Sequence, residues 1–220
     1  MPSTDSPLTL PPGNQTVRVS PIGLDGLLGL PEEATSLIMF AHGSGSSRLS
    51  PRNNHVAEAL RKAGHGTLLF DLLTEHEARD RACVFDIELL ATRLVMATQW
   101  VREDARTRDL AIGSFGASTG AAAALVADSL AGGSAAAVVS RGGRPDLAGD
   151  ALARVTAPTR LLVGSLDVGV LELNQAAFER LRCERDLQIV PGASHLFEEP
   201  GTLDRVITLA CDWFDRHLTT

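Results

Sequence analysis

Gly116-Ala117-Ser118-Thr119-Gly120 decides the fold of this chain, together with Asp109-Leu110-Ala111-Ile112-Gly113 before it and Ala121-Ala122-Ala123-Ala124-Leu125 after it. The pentapeptide fits Gly-x-Ser-x-Gly, a sharp strand-to-helix turn that exposes a serine hydroxyl above a parallel sheet. Small residues are needed there because two chain segments pass close to the turn, where a Cβ at Gly116 or Gly120 would crowd them. Three fixed small residues recur by chance, so context decides. Residues 109–113 read as a short buried strand, and 119–131 as an Ala/Leu-rich helix stopped by Gly132-Gly133. Strand, tight turn and helix make Ser118 the candidate nucleophile.

Working outward, apolar runs at 37–41, 66–72, 110–113, 135–139, 159–163 and 187–190 are short and hydrophobic on both faces, as strands covered by helices on each side must be. Helical segments at 51–63, 84–105, 119–131, 171–183 and 202–217 alternate with them. The first has Ser50 as N-cap, Pro51 at the first helical position and Gly64 as terminator. In the second, Ile87, Leu90, Leu94 and Val101 supply an apolar face, which makes Trp100 a core residue. Residues 15–20 and 24–29, joined by Pro21-Ile22-Gly23, read as an antiparallel hairpin at the sheet edge. The predicted fold class is α/β: six parallel strands in a doubly wound sheet plus this hairpin. Ligands of such sheets bind at the carboxyl ends of the strands.

Composition narrows the function classes. A chain of 220 residues, 44% of them hydrophobic, builds one sizeable domain, taken here as 15–220 behind an arm at 1–14 rich in Pro, Ser and Thr. A net charge of −7 disfavours nucleic acid or an anionic membrane as partner. The arm lacks the basic-then-apolar pattern of a signal peptide or membrane span. Cys83, Cys183 and Cys211, odd in number and unclustered, fit reduced, buried thiols in a cytoplasmic protein. Tyrosine is absent, which removes it as base or oxyanion donor. No paired His or Cys spacing suggests a zinc site, and no P-loop or dinucleotide fingerprint is present: Arg48 stands where the last glycine after Gly43-Ser44-Gly45 would have to be. Neither metal nor cofactor is expected.

A serine hydroxyl needs a base, and the base an acid to orient it. Of six histidines, His195 is the one in a loop past a strand's carboxyl end, in Pro191-Gly192-Ala193-Ser194-His195, just before the last helix. His42 also follows a strand, but its loop, Gly43-Ser44-Gly45-Ser46-Ser47, suits backbone N–H groups aimed at an anion, and its imidazole reads as structural. Asp167 ends Leu161-Leu162-Val163-Gly164-Ser165-Leu166-Asp167, again a strand and a small-residue turn. Asp128 lies within a helix and Asp186 at the wrong end of its strand. The chain order Ser118, Asp167, His195 is that of the α/β-hydrolase fold.

Residues 116–125, His42-Gly43-Ser44-Gly45-Ser46-Ser47-Arg48, Leu171-Glu172-Leu173-Asn174 and the stretch 191–201 together resemble the dienelactone hydrolase-like branch of the α/β-hydrolase superfamily, over about residues 15–218. The resemblance implies a Ser/Asp/His hydrolase acting on a small carboxylic ester or lactone. One departure is plain: the enzymes that name the family carry cysteine where this chain has Ser118. The expected mechanism has His195 deprotonating Ser118, Asp167 holding the imidazole, and an oxyanion hole from the Thr119 N–H and one N–H of the Ser44/Gly45 region. Lids in this superfamily are often inserted between the strands at 135–139 and 159–163; the connection here is short, so an open site is expected. It contains Arg141, which, like Arg48, either meets a substrate carboxylate or phosphate or pairs with local groups. Acyl transfer or thioester cleavage with the same residues is the alternative activity, a catalytically silent binding protein a third, and a homodimer a candidate assembly.

Overall fold

The computed structural model describes residues 13–130 and 135–218. The expected arm at 1–14, except for its last two residues, and the expected helix stop at Ala131-Gly132-Gly133 lie outside them. Eight strands form a single sheet: β1 (Asn14–Val19), β2 (Leu24–Gly29), β3 (Ser36–Ala41), β4 (Gly66–Phe70), β5 (Ala111–Ala117), β6 (Ala137–Arg141), β7 (Thr159–Gly164) and β8 (Arg185–Val190), in the order β1-β2-β4-β3-β5-β6-β7-β8. β1 and β2 pair antiparallel as a hairpin, β2 runs antiparallel to β4, and the six strands from β4 to β8 are mutually parallel. This is the α/β-hydrolase arrangement.

The helices are α1 (Pro51–Lys62), α2 (Arg81–Val84), α3 (Ile87–Glu103), α4 (Thr119–Leu130), α5 (Val168–Arg180) and α6 (Thr202–Leu218). Two apolar layers result. α3 and α4 cover one face through Leu90, Leu94, Ala122 and Leu125; α1 and α6 cover the other through Val56, Leu60, Trp213 and Phe214. The all-buried patterns of β3, β4 and β6 follow from this double cover. Trp100 packs against the first layer. The three cysteines are free and half-buried rather than fully buried.

Two elements differ from the sequence expectation for local reasons. The helix expected over 84–105 runs over Ile87–Glu103, because Asp86 caps its start by accepting from the Leu89 N–H, and the short α2 before it has its own cap in Asp80, which accepts from the Ala82 N–H. β5 extends to Ala117 instead of ending at Gly113, since Ser114 to Gly116 pair with both β3 and β6 and Ala117 with β6. The strand therefore delivers Ser118 directly. Between β6 and β7 lies only a 3-10 segment, Pro145–Arg154, kinked at Gly149, and among the described residues no large lid covers the carboxyl edge.

Asp128, set aside above as a catalytic acid, has a structural task. In α4 and 1% exposed, it accepts with one carboxylate oxygen from the N–H groups of Thr156 and Ala157 at 2.8 and 3.1 Å, fixing the turn that enters β7. Asp128→Ala leaves two amides without a partner and should lower unfolding stability by about 2–4 kcal/mol, whereas Asp128→Asn keeps an acceptor and should lose less; urea denaturation midpoints of the two variants check this.

Candidate active site

At the end of β5 the chain turns through Ser118, whose φ of 50° is a left-handed conformation that a residue with a Cβ adopts only under constraint. The constraint is backbone packing on both sides. A Cβ on Gly120 would stand 2.1 Å from the Ala41 carbonyl oxygen, and one on Gly116 would stand 2.4 Å from Ala121 Cα. Both distances are far inside contact, so the elbow exists only with glycine at these two positions.

Asp167 and His195 follow β7 and β8, further along the same carboxyl edge of the sheet. Asp167 occupies the N-cap position of α5 yet makes no capping hydrogen bond. Its carboxylate turns to His195 instead, accepting from Nδ1–H at 2.6 Å. That bond places the proton on Nδ1 and leaves Nε2 as the acceptor of the ring. His195 is held by its loop: the Ser194 N–H donates to Glu199 at 3.0 Å, and Phe197, only 2% exposed, anchors a second left-handed backbone with φ of 55°. Ser118 and His195 line one cavity of 230 Å³, shared with Gly43, Ser44, Ser46, Ser50, Arg52, Asn53 and Arg141.

The loop after β3 forms the facing wall. His42 braces it, with Nδ1–H donating to the Gly43 carbonyl at 3.0 Å and Nε2 accepting from the Leu72 N–H at 3.1 Å. Burial drives its pKa below the ordinary 6.5, so the ring is neutral at neutral pH. The Ser44 N–H donates to Thr119 Oγ1 at 3.0 Å, which ties this loop to the first residue of α4. Gly45 lines an adjoining cavity of 160 Å³ that shares Gly43, Ser44 and Ser46 with the first and is walled further on by Asp71, Leu73, Glu75 and Leu90.

Of the expected site residues, the structure thus brings Ser118, Asp167, His195, Ser44, Thr119 and Arg141 to one place. Gly45 stands in the same loop, between Ser44 and Ser46, which line the serine's cavity, while Arg48 is drawn away from it. Arg48 pairs with Asp71, which also accepts from the Arg48 N–H at 2.7 Å, and its other Nη lies 3.6 Å from Asp25; the local-pairing reading of this arginine is the one observed. Arg141 is 8% exposed, and burial, with the nearby charge of Arg52, pushes its pKa down to about 10. Arg52 and Asn53 were not singled out from sequence. Their only signal was position, in the first turn of a helix that begins soon after the Gly/Ser loop. No cluster of His, Cys, Asp or Glu that could hold a metal ion occurs among the described residues, and no helix among them is long and apolar enough to cross a membrane.

Comparison with known proteins gives a consistent frame. No family model matches the chain. A dienelactone hydrolase from Anabaena variabilis is 51% identical in a superposition covering 94% of this chain and all of that one, with a TM-score of 0.90. At 16% identity the Est1E protein of Butyrivibrio proteoclasticus shares the fold over 94% of this chain and all of its own, TM-score 0.77. A lidless α/β serine hydrolase from Xanthomonas campestris does so at 19%, over 96% of this chain and 98% of its own, TM-score 0.72. Proteins from two Mycobacterium tuberculosis strains, provisionally named phosphoribosyl transferases, are 57% identical over 202 residues; the match takes in 92% of this chain but 46% of theirs, so the chain spans about half the length of these curated relatives.

Two outcomes are expected. Gly120→Ala should cost about 3 kcal/mol or more through overpacking, read as a lower urea midpoint, and should abolish reaction of Ser118 with a fluorophosphonate. Because the His42 pKa is lowered on folding, its contribution is complete above pH 6.5 and is lost as the pH falls below that value, where the unfolded chain takes up the proton first. The stability gap between wild type and His42→Gln should therefore be full at pH 7.5 and narrow toward pH 5 in the same denaturation assay.

Proposed function

This chain belongs to the dienelactone hydrolase-like family of the α/β-hydrolase superfamily, and on that premise we propose that it is a serine hydrolase that cleaves a small carboxylic ester or lactone through an acyl-enzyme. The observation that carries the reading is the 2.6 Å bond from His195 Nδ1 to Asp167, in a cavity shared with a serine on a strained elbow. Ser118 Oγ attacks the acyl carbon as His195 Nε2 takes its proton, and the imidazolium passes that proton to the departing alkoxide. Water then adds to the acyl-enzyme with the same histidine as base, which releases the acid and restores the serine. Asp167 keeps the ring in the tautomer that can accept. The oxyanion is received by the Thr119 N–H and by the Ser44 N–H, the latter exchanging the Thr119 hydroxyl for the developing charge.

Hydrolysis is favoured over acyl transfer by the short connection between β6 and β7, which leaves the serine cavity open to water. We place the phosphoribosyl transfer named for the mycobacterial relatives in the part of those proteins that this chain does not span, because the matched part is a hydrolase fold.

Incubation with a fluorophosphonate and a short-chain 4-nitrophenyl ester tests the reading. Wild type should be labelled and active. Ser118→Ala should lose the label and about 10⁴-fold or more of the turnover, while Asp167→Asn should keep the serine but lose turnover by a comparable factor. An unlabelled, inactive wild type, or an active alanine variant, sinks the assignment.

A further inference from the structure

A guanidinium with no counter-charge among the described residues stands in the wall of the serine's own cavity. Arg141 closes β6, and its Nε and Nη1 are buried with no hydrogen-bond partner. Nη2 reaches the side-chain oxygen of Asn53 at 3.5 Å, the outer limit of a hydrogen bond. An unpaired buried cation is among the costliest arrangements in a protein interior. Hydrolysis by Ser118, His195 and Asp167 gives this one no task.

The surroundings add positive charge. Arg52 lines the same cavity; its Nη1 meets Glu198 at 2.8 Å on the surface, but its Nε is buried and unpartnered. Both residues of this pairing partner set, Arg52 and Asn53, belong to the first turn of the twelve-residue helix α1, whose N-cap Ser50 also lines the cavity. The positive end of the helix dipole is therefore directed to the same space.

We propose that the ester opened at Ser118 carries a phosphate monoester, seated between Arg141 and Arg52 at the start of α1. The proposal rests on the hydrolytic reading and names its substrate class. A carboxylate presents two oxygens, which one guanidinium edge saturates. Arg141 brings a charge with no carboxylate against it among the described residues, and Arg52, already paired with Glu198 on one side, adds a second guanidinium in the same cavity; a group with three oxygens and a second negative charge can meet both side chains, where a carboxylate is used up by one.

Inorganic phosphate titrated into Ser118→Ala by calorimetry separates binding from turnover, with acetate at equal ionic strength as the carboxylate arm. Phosphate should bind, and at a concentration near 100 times its dissociation constant should raise the melting temperature by about 5–10 °C; acetate should do neither. Adding Arg141→Met or Arg141→Lys should weaken phosphate binding at least about tenfold. Without phosphate, the methionine variant should melt no lower than its parent, since it removes a buried unpaired charge, which distinguishes lost binding from lost folding. With wild type, acetate release from acetylated glycerol phosphate should exceed that from acetylated glycerol by at least about tenfold in kcat/KM, and Arg141→Met should collapse that ratio. Equal response to acetate, absence of phosphate binding, or a ratio that Arg141 does not control overturns the phosphate seat. Ester cleavage without phosphate binding overturns this proposal alone. Phosphate binding through Arg141 in a protein that cleaves no ester overturns the phosphoester and the hydrolase reading together.

Discussion

The approach of α4 to the end of β3 is the constraint on which the site depends. At Gly120 the helix backbone comes so near the Ala41 carbonyl that no side chain fits between them, and at Gly116 the strand comes equally near Ala121. Held on both sides, the chain has room to turn only through a left-handed residue, and that residue is Ser118. The strain is maintained by a large buried interface, α4 being almost wholly buried between the sheet and its neighbours. Stability of the core and exposure of the hydroxyl are thus one property. Each depends on the same two glycines.

The remaining groups are placed by the parallel sheet rather than by one another. Residues that follow β3, β5, β6, β7 and β8 meet because all five strands end on the same edge, which brings together side chains as distant in sequence as Ser44 and His195. Local devices then set orientation. Asp167 gives up the helix cap for which its position suits it and binds His195 instead. His42, neutral through burial, spans from the Leu72 amide to the Gly43 carbonyl and so fixes the course of the facing loop. Glu199 and buried Phe197 hold the histidine loop from its far side.

What was legible in the sequence follows from this division. Strand order of function, the elbow and the acid–histidine pair are written as short apolar runs ending in small residues, a local pattern that survives without coordinates. The end of β5 was misplaced because Ser114, Gly116 and Ala117 are weak strand formers around a single Phe115, and pairing with β3 and β6 carries the strand on. The start of α3 was set three residues early because its cap, Asp86, sits inside a continuous amphipathic pattern. Arg48 and Arg141 looked alike, each a basic residue in a Gly/Ser loop after a strand. Only the fold separates them, by setting Asp71 beside one and no carboxylate within ion-pair distance of the other among the described residues.

That contrast between two arginines bears on how the cavity's chemistry is to be understood. Arg48 is neutralised, part-buried and ties the hairpin and β4 to the loop, which is the ordinary way a protein keeps a cation near its interior. Arg141 departs from that rule within the same molecule, beside a second guanidinium whose Nε is also unpartnered. Folding alone gains little from such a pair: an apolar residue of similar volume at 141 would remove the desolvation cost of the cation and give up only the long 3.5 Å contact to Asn53. A feature that weakens the empty protein is consistent with a function realised only when the cavity is filled. The elbow carries strain for reactivity, and the adjoining cationic wall carries unneutralised charge for recognition, so the two costs in this fold fall on the same few ångströms of one strand edge.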